Sequence, residues 1–289
     1  MNLNVLVLPG DGIGEEVTHQ AVRVLRRIAD KFHHTLELAE GLLGGIAIHK
    51  TGSPLPDETL RLAAAADATL MGAVGLPEFD HAPPEKRPEK GLLGLRKALG
   101  VYANLRPVRA YASLLDSSPL KNHLVEGTDM IIVRELTGGI YYGTPRGIME
   151  NGAETRAVNT MTYTRSEIER VSHVAFHLAR DRCKKVTSVD KSNVLENSQL
   201  WRKTVVEIGA EFPDIALDHV LVDNCAMQLA LNPRRFDILS DEGAALAGAI
   251  GSVAAIDAVL DSGRVTADLR PAGKPATTSE TGDAIIEFL

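Results

Sequence analysis

Val5-Leu6-Val7-Leu8 is an unbroken apolar run that stops at Pro9-Gly10, after which Val17, Ala21, Val24, Leu25 and Ile28 recur at helical spacing. That pattern predicts a strand, a loop and a helix. The same alternation follows: residues 36–39 read as a strand, 57–65 as a helix opened after Pro54 and Pro56, and 68–74 as a buried strand. Continuous apolar runs alternating with helical segments are what strands covered on both faces require. The expected fold class is therefore α/β, a mostly parallel sheet flanked by helices. A polar loop, 75–90, carries Pro77, Pro83, Pro84 and Pro88, and loops this long inside compact domains are usually functional.

Three later apolar runs, 130–133, 186–189 and 219–222, each end at a charged residue or one position before it: Arg134, the pair Asp190 and Lys191, and Asp223. In open α/β sheets ligands lie beyond the carboxyl ends of the strands, so charges placed there are candidates for chemistry; helix starts would explain some of them equally. Residues 137–164 are rich in Gly, Tyr, Thr and Asn with weak periodicity, which suits an extended arm or hairpin. Residues 243–256 are Gly- and Ala-rich, shorter than a bilayer span and followed at once by Asp257, and read as a buried helix.

At 289 residues a folded chain buries about 75% of its unfolded surface, so a large core is expected. The net charge of −7 argues against nucleic acid or an anionic membrane as the main partner, because both require a basic face. Cys183 and Cys225 lack metal or redox spacing and read as inert core thiols. The amino terminus has no basic segment before its short apolar run, so no secretory signal is expected and the cytoplasm is the default.

Gly10-Asp11-Gly12-Ile13-Gly14 lies between strand and helix, but its spacing is GxGxG rather than the dinucleotide fingerprint; a tight turn and a cofactor contact explain it equally. Arg96, Arg106 and Arg134 come from separate elements. A substrate with two carboxylates would require such planar, permanently charged donors, although three surface arginines are the simpler reading of each singly. Asp237 and Asp241 are four apart, which on a helix places both carboxylates on one face. With Asp223 they would offer hard oxygen ligands to Mg²⁺ or Mn²⁺; a solvated acidic helix face is the alternative. Tyr141 and Lys191 are the candidate proton carriers, against packing for the first and a surface position for the second. The nine histidines show no ligand spacing.

Taken together, Leu-Pro-Gly-Asp-Gly-Ile-Gly at 8–14, Arg-Pro-Glu-Lys-Gly-Leu-Leu-Gly-Leu-Arg-Lys at 87–97 and Ala-Asn-Leu-Arg-Pro at 103–107 form a specific set with three further stretches. Those are Val-Arg-Glu-Leu-Thr-Gly-Gly-Ile-Tyr-Tyr-Gly at 133–143, Ser-Val-Asp-Lys-Ser-Asn-Val-Leu-Glu at 188–196 and Asp-Ile-Leu-Ser-Asp-Glu at 237–242. The set resembles the isocitrate/isopropylmalate family of β-decarboxylating dehydrogenases. The resemblance implies a two-domain fold, with a cofactor-side domain of residues 1–101 plus 253–289. Residues 102–252 would form the substrate, metal and dimerisation domain, with an arm at 138–163. It implies NAD-dependent oxidative decarboxylation of 3-isopropylmalate in leucine biosynthesis, and a homodimer in which Lys191 and Asp223 enter the partner's cleft and the helices of Asp223 and Asp237 help build the interface.

By the same resemblance, Arg96, Arg106 and Arg134 hold the malate carboxylates, Asp223 also faces the substrate, and Leu92 and Leu93 receive the isopropyl group. Tyr141 and Lys191 move protons; Asp223, Asp237 and Asp241 hold Mg²⁺ or Mn²⁺. Ile13, Leu76, Pro77, Glu78, Glu89 and Asn193 would face NAD. Two pieces of the family pattern are absent. Arg-Arg-Phe-Asp runs directly into Ile-Leu-Ser-Asp at 234–241, so that Asp237 aligns with either side of the gap, and after 248–251 the stretch that wraps the adenosine half of NAD is missing. A sister dehydrogenase acting on tartrate, D-malate or isocitrate, and a catalytically silent dimeric remnant, are the rival expectations.

Overall fold

The computed structural model describes residues 1–118, 120–152, 154–242 and 276–288. They fall into two compact units, one of Met1–Gly100 with a helix near the carboxyl end and one that begins at Val101. The helix expected at 243–256 and the junction at 248–251 lie outside the described residues.

In the first unit β1 (Asn2–Gly10) is the middle strand, with β2 (Thr35–Glu40) and β3 (Ala68–Ala73) parallel on either side. Val5 stands opposite Leu38 on one neighbour and Ala68 on the other. Leu6 and Leu8 are fully buried and pack with Leu43, Ala63 and Leu95. The helices are α1 (Gly14–Lys31), α2 (Gly45–Thr51), α3 (Asp57–Ala65) and α4 (Pro88–Leu99). The helix Thr278–Phe288 docks on α1, where Arg23 pairs with Asp283 at 2.5 Å and Gln20 Nε2 donates to Ser279 at 3.3 Å. The glycine-rich turn at 10–14 has a sufficient backbone reason. Gly10 has φ +74°, and a Cβ on Gly10 or Gly14 would strike the main chain of Ala73 or Pro9, so the turn is pressed against β3.

The second unit contains β4 (Ala103–Arg109), α5 (Asn122–Val125), β5 (Asp129–Glu135), and the hairpin strands β6 (Gly147–Asn151) and β7 (Glu154–Val158). It continues with α6 (Arg165–Arg180), β8 (Lys185–Asp190), α7 (Glu196–Gly209), β9 (Ala216–Leu221), α8 (Val222–Leu231) and β10 (Ile238–Asp241). The main sheet runs β4-β5-β10-β8-β9, parallel except for β4, with the strand that comes last along the described chain in the middle. One side packs on α6 and α7 through Val133, Val186, Ile238, Phe176 and Trp201; the other packs on α8 through Ile132, Val189, Leu239 and Cys225. Helix α6 starts sharply at Thr164, whose hydroxyl accepts from the Glu167 amide while Glu167 reaches back to the Thr164 amide. The arm segment is indeed a hairpin, with Ile148 opposite Ala157 and 75% exposed.

Two expectations are corrected, and one alternative is settled. Asp237 and Asp241 are not one turn apart on a helix: they bracket β10, so they share a face by the period of two but sit about 13 Å apart along the strand. Asp237 lies at the far end, where Oδ1 accepts from Arg182 Nε at 2.7 Å and Oδ2 from the Cys183 amide at 2.9 Å. Its oxygens are committed to the α6–β8 turn, which removes it from a metal site with Asp241 and from any dimer helix. For Asp223 the helix-start reading holds: it lies in the first turn of α8, which begins at Val222 directly after β9. Cys183 is exposed in the turn after α6 rather than in the core; Cys225 is buried as expected, and burial pushes its thiol up to about 12.

Candidate functional site

Paired positions on neighbouring strands carry their side chains to the same face of a sheet. Asp241 is opposite Arg134 on one side and Val189 on the other, and Asn104 is opposite Arg134. Asn104, Arg106, Arg134 and Asp241 therefore lie on the α8 side, at the end of the sheet where β5, β8 and β10 finish. The alternate positions, Glu135, Asp190 and Glu242, turn toward α6 and α7. The two sets differ in what they touch.

In the set facing α6 and α7, Glu135 and Asp190 have both oxygens engaged, while Glu242 keeps Oε2 without a hydrogen bond. Glu135 accepts from the amides of Thr137 and Gly138, both at 2.7 Å, from the Thr137 hydroxyl at 2.5 Å and from Arg170 at 3.3 Å. Asp190 is fully buried and receives a two-pronged grip from Arg202, with both bonds at 2.9 Å. Glu242 accepts from the Lys191 amide at 3.1 Å and from the Ser198 hydroxyl. Burial pushes its carboxyl up to about 7, against the lowering effect of the Ser198 bond. Tyr163, over Trp201, is pushed well above its ordinary range by burial and by Glu135.

The set facing α8 is placed for a ligand. Arg134 stacks over the Tyr141 ring with its guanidinium carbon 5.5 Å from the centroid, and its Nε–H is buried with no hydrogen-bond partner. A buried cationic donor without an acceptor is costly and calls for an anion. Arg106 Nε donates to Asn104 Oδ1 at 2.7 Å, which fixes the guanidinium two positions along the same strand face. Lys191, beyond the end of β8, places Nζ 2.6 Å from Asp223 Oδ1. That ammonium, donating to it, holds the Asp223 carboxyl below the usual carboxylate range. Asp241 is almost fully buried.

In this unit the structure thus brings together Arg106, Arg134 and Tyr141, with Lys191 and Asp223 paired and Asp241 across from Arg134. Asn193 is exposed in the turn after β8. Asn104 and Glu242 were not singled out from the sequence. Asn104 was legible as the residue two before Arg106 on a strand, and hence on its face. Glu242 carries no local signal beyond its place after Asp241.

In the first unit Arg96, Leu92 and Leu93 are partly exposed on α4, three to four residues apart and so on neighbouring parts of its surface, while Pro88, Gly91 and Leu95 are buried. The 75–90 loop makes two short turns, Pro77–Phe79 and Pro84–Lys86, and Leu76, Phe79, Asp80, Arg87 and Glu89 line one small recess. Pro77 and Glu78 belong to the first of these turns, and Glu78 is bound to His49 at 2.8 Å. Ile13, at the start of α1, is 56% exposed. In this recess Leu76 and Phe79 lie beside the Glu89 carboxylate. Among the described residues no three His, Cys, Asp or Glu side chains converge.

Residues 4–254 match the family model for isocitrate/isopropylmalate dehydrogenase. A 3-isopropylmalate dehydrogenase of Geobacillus kaustophilus is 55% identical over 261 residues, covering 86% of this chain and 70% of its own length. One from Halalkalibacterium halodurans is 50% identical over 278 residues, covering 93% and 75%. Among solved structures, an isocitrate dehydrogenase from Methylococcus capsulatus superposes with a TM-score of 0.83 at 26% identity, over 99% of this chain and 98% of that one. With arginines, a lysine and carboxylates gathered at the end of a parallel sheet, and half the sequence shared with these relatives, the chain belongs to the isocitrate/isopropylmalate dehydrogenase family.

Proposed function

We propose that the chain oxidises and decarboxylates 3-isopropylmalate to 4-methyl-2-oxopentanoate with NAD⁺ as electron acceptor, a step of leucine biosynthesis. The observation that carries this reading is the unspent donor of Arg134, buried beside Arg106 in a protein of net charge −7. Such a pair recognises a dicarboxylate by forked, charge-assisted hydrogen bonds. Relatives at 50–55% identity are named for this reaction.

Arg106 and Arg134 hold the substrate's carboxylates. Lys191, in its neutral form, accepts the proton of the C2 hydroxyl as C2 is oxidised, and the ammonium so formed is held by the Asp223 carboxylate hydrogen-bonded to it. NAD⁺ would supply the acceptor for the hydride that leaves C2. Carbon dioxide then leaves the β-keto acid, and Tyr141, fixed beside Arg134, returns a proton to the enol carbon. The recess of Leu76 and Glu89, with Pro77, Glu78 and Ile13, faces the cofactor. Enzymes of this family generally use NAD and a divalent metal, act on small dicarboxylates and are typically dimers. Asp223 and Asp241 are the carboxylates this chain offers to Mg²⁺ or Mn²⁺. The exposed Ile148 of the hairpin, with Met227 and Leu231 on α8, supports a homodimer.

The test is NADH formation with Mn²⁺ present, comparing 3-isopropylmalate with D-malate, tartrate and isocitrate. Fastest turnover on 3-isopropylmalate is expected. Faster turnover on another acid overturns the substrate, and none on any acid overturns the activity in favour of a silent binding protein.

A further inference from the structure

Asp11 is 3% exposed, yet it lies in a surface turn between β1 and α1. Its carboxylate is spent on main-chain amides from two distant segments. Oδ2 accepts from Gly45 and Gly75, and Oδ1 from Ile46, all at 2.8 Å. The Asp11 amide in turn donates to the Ala73 carbonyl at 2.7 Å, so the residue is tied to the end of β3 from both its main chain and its side chain. Gly75 is the residue from which the 75–90 loop departs. Gly45 opens α2, where a Cβ would come within 2.7 Å of Leu76 and 2.9 Å of Phe79. One buried carboxylate therefore fixes both the root of the loop and the helix end against which Leu76 and Phe79 rest.

We propose that Asp11 is a positioning residue for the cofactor: it holds Leu76, and through Gly75 the Glu89 carboxylate, at the geometry in which the loop receives the nicotinamide ring. This rests on the reading of that loop as a cofactor surface given above. A Cβ on Gly75 would lie 3.1 Å from Glu89 Oε1, so a shift of Gly75 is felt at Glu89 directly. The glycines at 10 and 14 acquire a purpose in the same argument. They let the turn approach β3 closely enough for the Asp11 carboxylate to reach Gly75, which places their contribution in support of the loop rather than in contact with a phosphate.

The atoms separate the substitutions. In Asp11→Asn an amide oxygen at the Oδ2 position still serves Gly45 and Gly75, and only the bond to Ile46 is replaced by opposed donors. Asp11→Ala loses all three. Gly45→Ala presses hardest on Leu76 and Phe79 and less on the Asp11 carboxylate, whose Oδ1 would lie 3.3 Å from the new Cβ, and it removes none of the carboxylate's acceptors. The experiment is amide hydrogen exchange across the full chain with calorimetric titration of NAD⁺ for these three variants and the parent. Expected are faster exchange at Gly45, Ile46 and 75–87 in Asp11→Ala, a smaller change confined to Ile46 in Asp11→Asn, and unchanged exchange in β5 and β8. The NAD⁺ dissociation constant should rise about tenfold in Asp11→Ala, a loss of about 1.4 kcal/mol, and less in Asp11→Asn.

Unchanged loop exchange in Asp11→Ala overturns the proposal. So does weakened NAD⁺ binding in Gly45→Ala with none in Asp11→Ala. If the loop loosens in both and NAD⁺ binding moves in neither, the cofactor reading of the loop is what fails, and the positioning role for NAD⁺ falls with it. Global acceleration of exchange in Asp11→Ala would mark a folding role, and the Asp11→Asn variant then decides by whether its NAD⁺ affinity shifts with β5 and β8 protected.

Discussion

Asp237 is the sharpest place to test the structure against the sequence. Substituting it by Ala removes the acceptor for Arg182 Nε and for the Cys183 amide at a position 4% exposed. Hydrogen bonds to charged groups contribute about 1.5–3 kcal/mol each. Arg182 also holds the Asp129 carboxylate at 2.7 Å and its carbonyl at 3.0 Å, so it is not left unpaired and its share belongs at the low end. The amide of Cys183 adds about as much. The sum is about 3 kcal/mol for Ala and about 2 for Asn, which keeps one acceptor. Trp201, the one tryptophan and fully buried, reports unfolding of this unit by fluorescence. With a urea slope of about 2 kcal/mol/M the midpoint should fall by about 1.5 M in Asp237→Ala. Mn²⁺ affinity, measured by calorimetry, should be unchanged once the protein is folded. A variant that keeps its urea midpoint but loses Mn²⁺ binding would refute the placement of β10 and restore Asp237 as a metal ligand.

Arg134→Ala should lower kcat/KM for 3-isopropylmalate about tenfold to a hundredfold, from the loss of charge-assisted bonds, with Lys recovering only part. Equal kcat/KM in the variant removes Arg134 from the site. Lys191→Ala should lower kcat about 10²- to 10⁴-fold with a smaller effect on KM, and an effect confined to KM would make Lys191 a binding residue. His219 has its ring held below the ordinary histidine value, by burial first and then by the Arg202 charge. The unfolded chain takes up that proton near pH 6.5 while the folded one resists it to lower pH. The stabilisation is therefore complete above about pH 6.5 and lost as pH falls below it. Urea midpoints between pH 7.5 and 5.5 should drop less in His219→Gln than in the parent, and an equal drop assigns the loss to other groups.

The strands and helices were largely legible because apolar runs and helical spacing are local. Residues 36–39, 57–65 and 130–133 fall within β2, α3 and β5. What was not legible is which way a residue faces at a strand end. In Met130–Val133 every position is apolar, so nothing in the run shows that Arg134 turns to α8 and Glu135 to α6. That is decided by the register with β10. The spacing of Asp237 and Asp241 suits a helix face and a strand face alike, and a four-residue strand is too short to betray its period. Cys183 looked like a core thiol because sequence does not show that the chain turns there. The role of Asp11 depends on amides 34, 35 and 64 residues away, beyond any window in which motifs are read.

The central place of β10 makes the site sensitive to parity. Side chains alternate along a strand, so adding or deleting a single residue between Phe236 and Ile238 would turn Asp241 inward among the helix-facing acids and swing Glu242 out beside Arg134. A change of two residues would instead slide the same carboxylate by about 7 Å without rotating it. Length variation at this junction is thus filtered by odd and even: even steps keep the chemistry facing outward, and odd steps exchange a ligand-facing acid for a buttress.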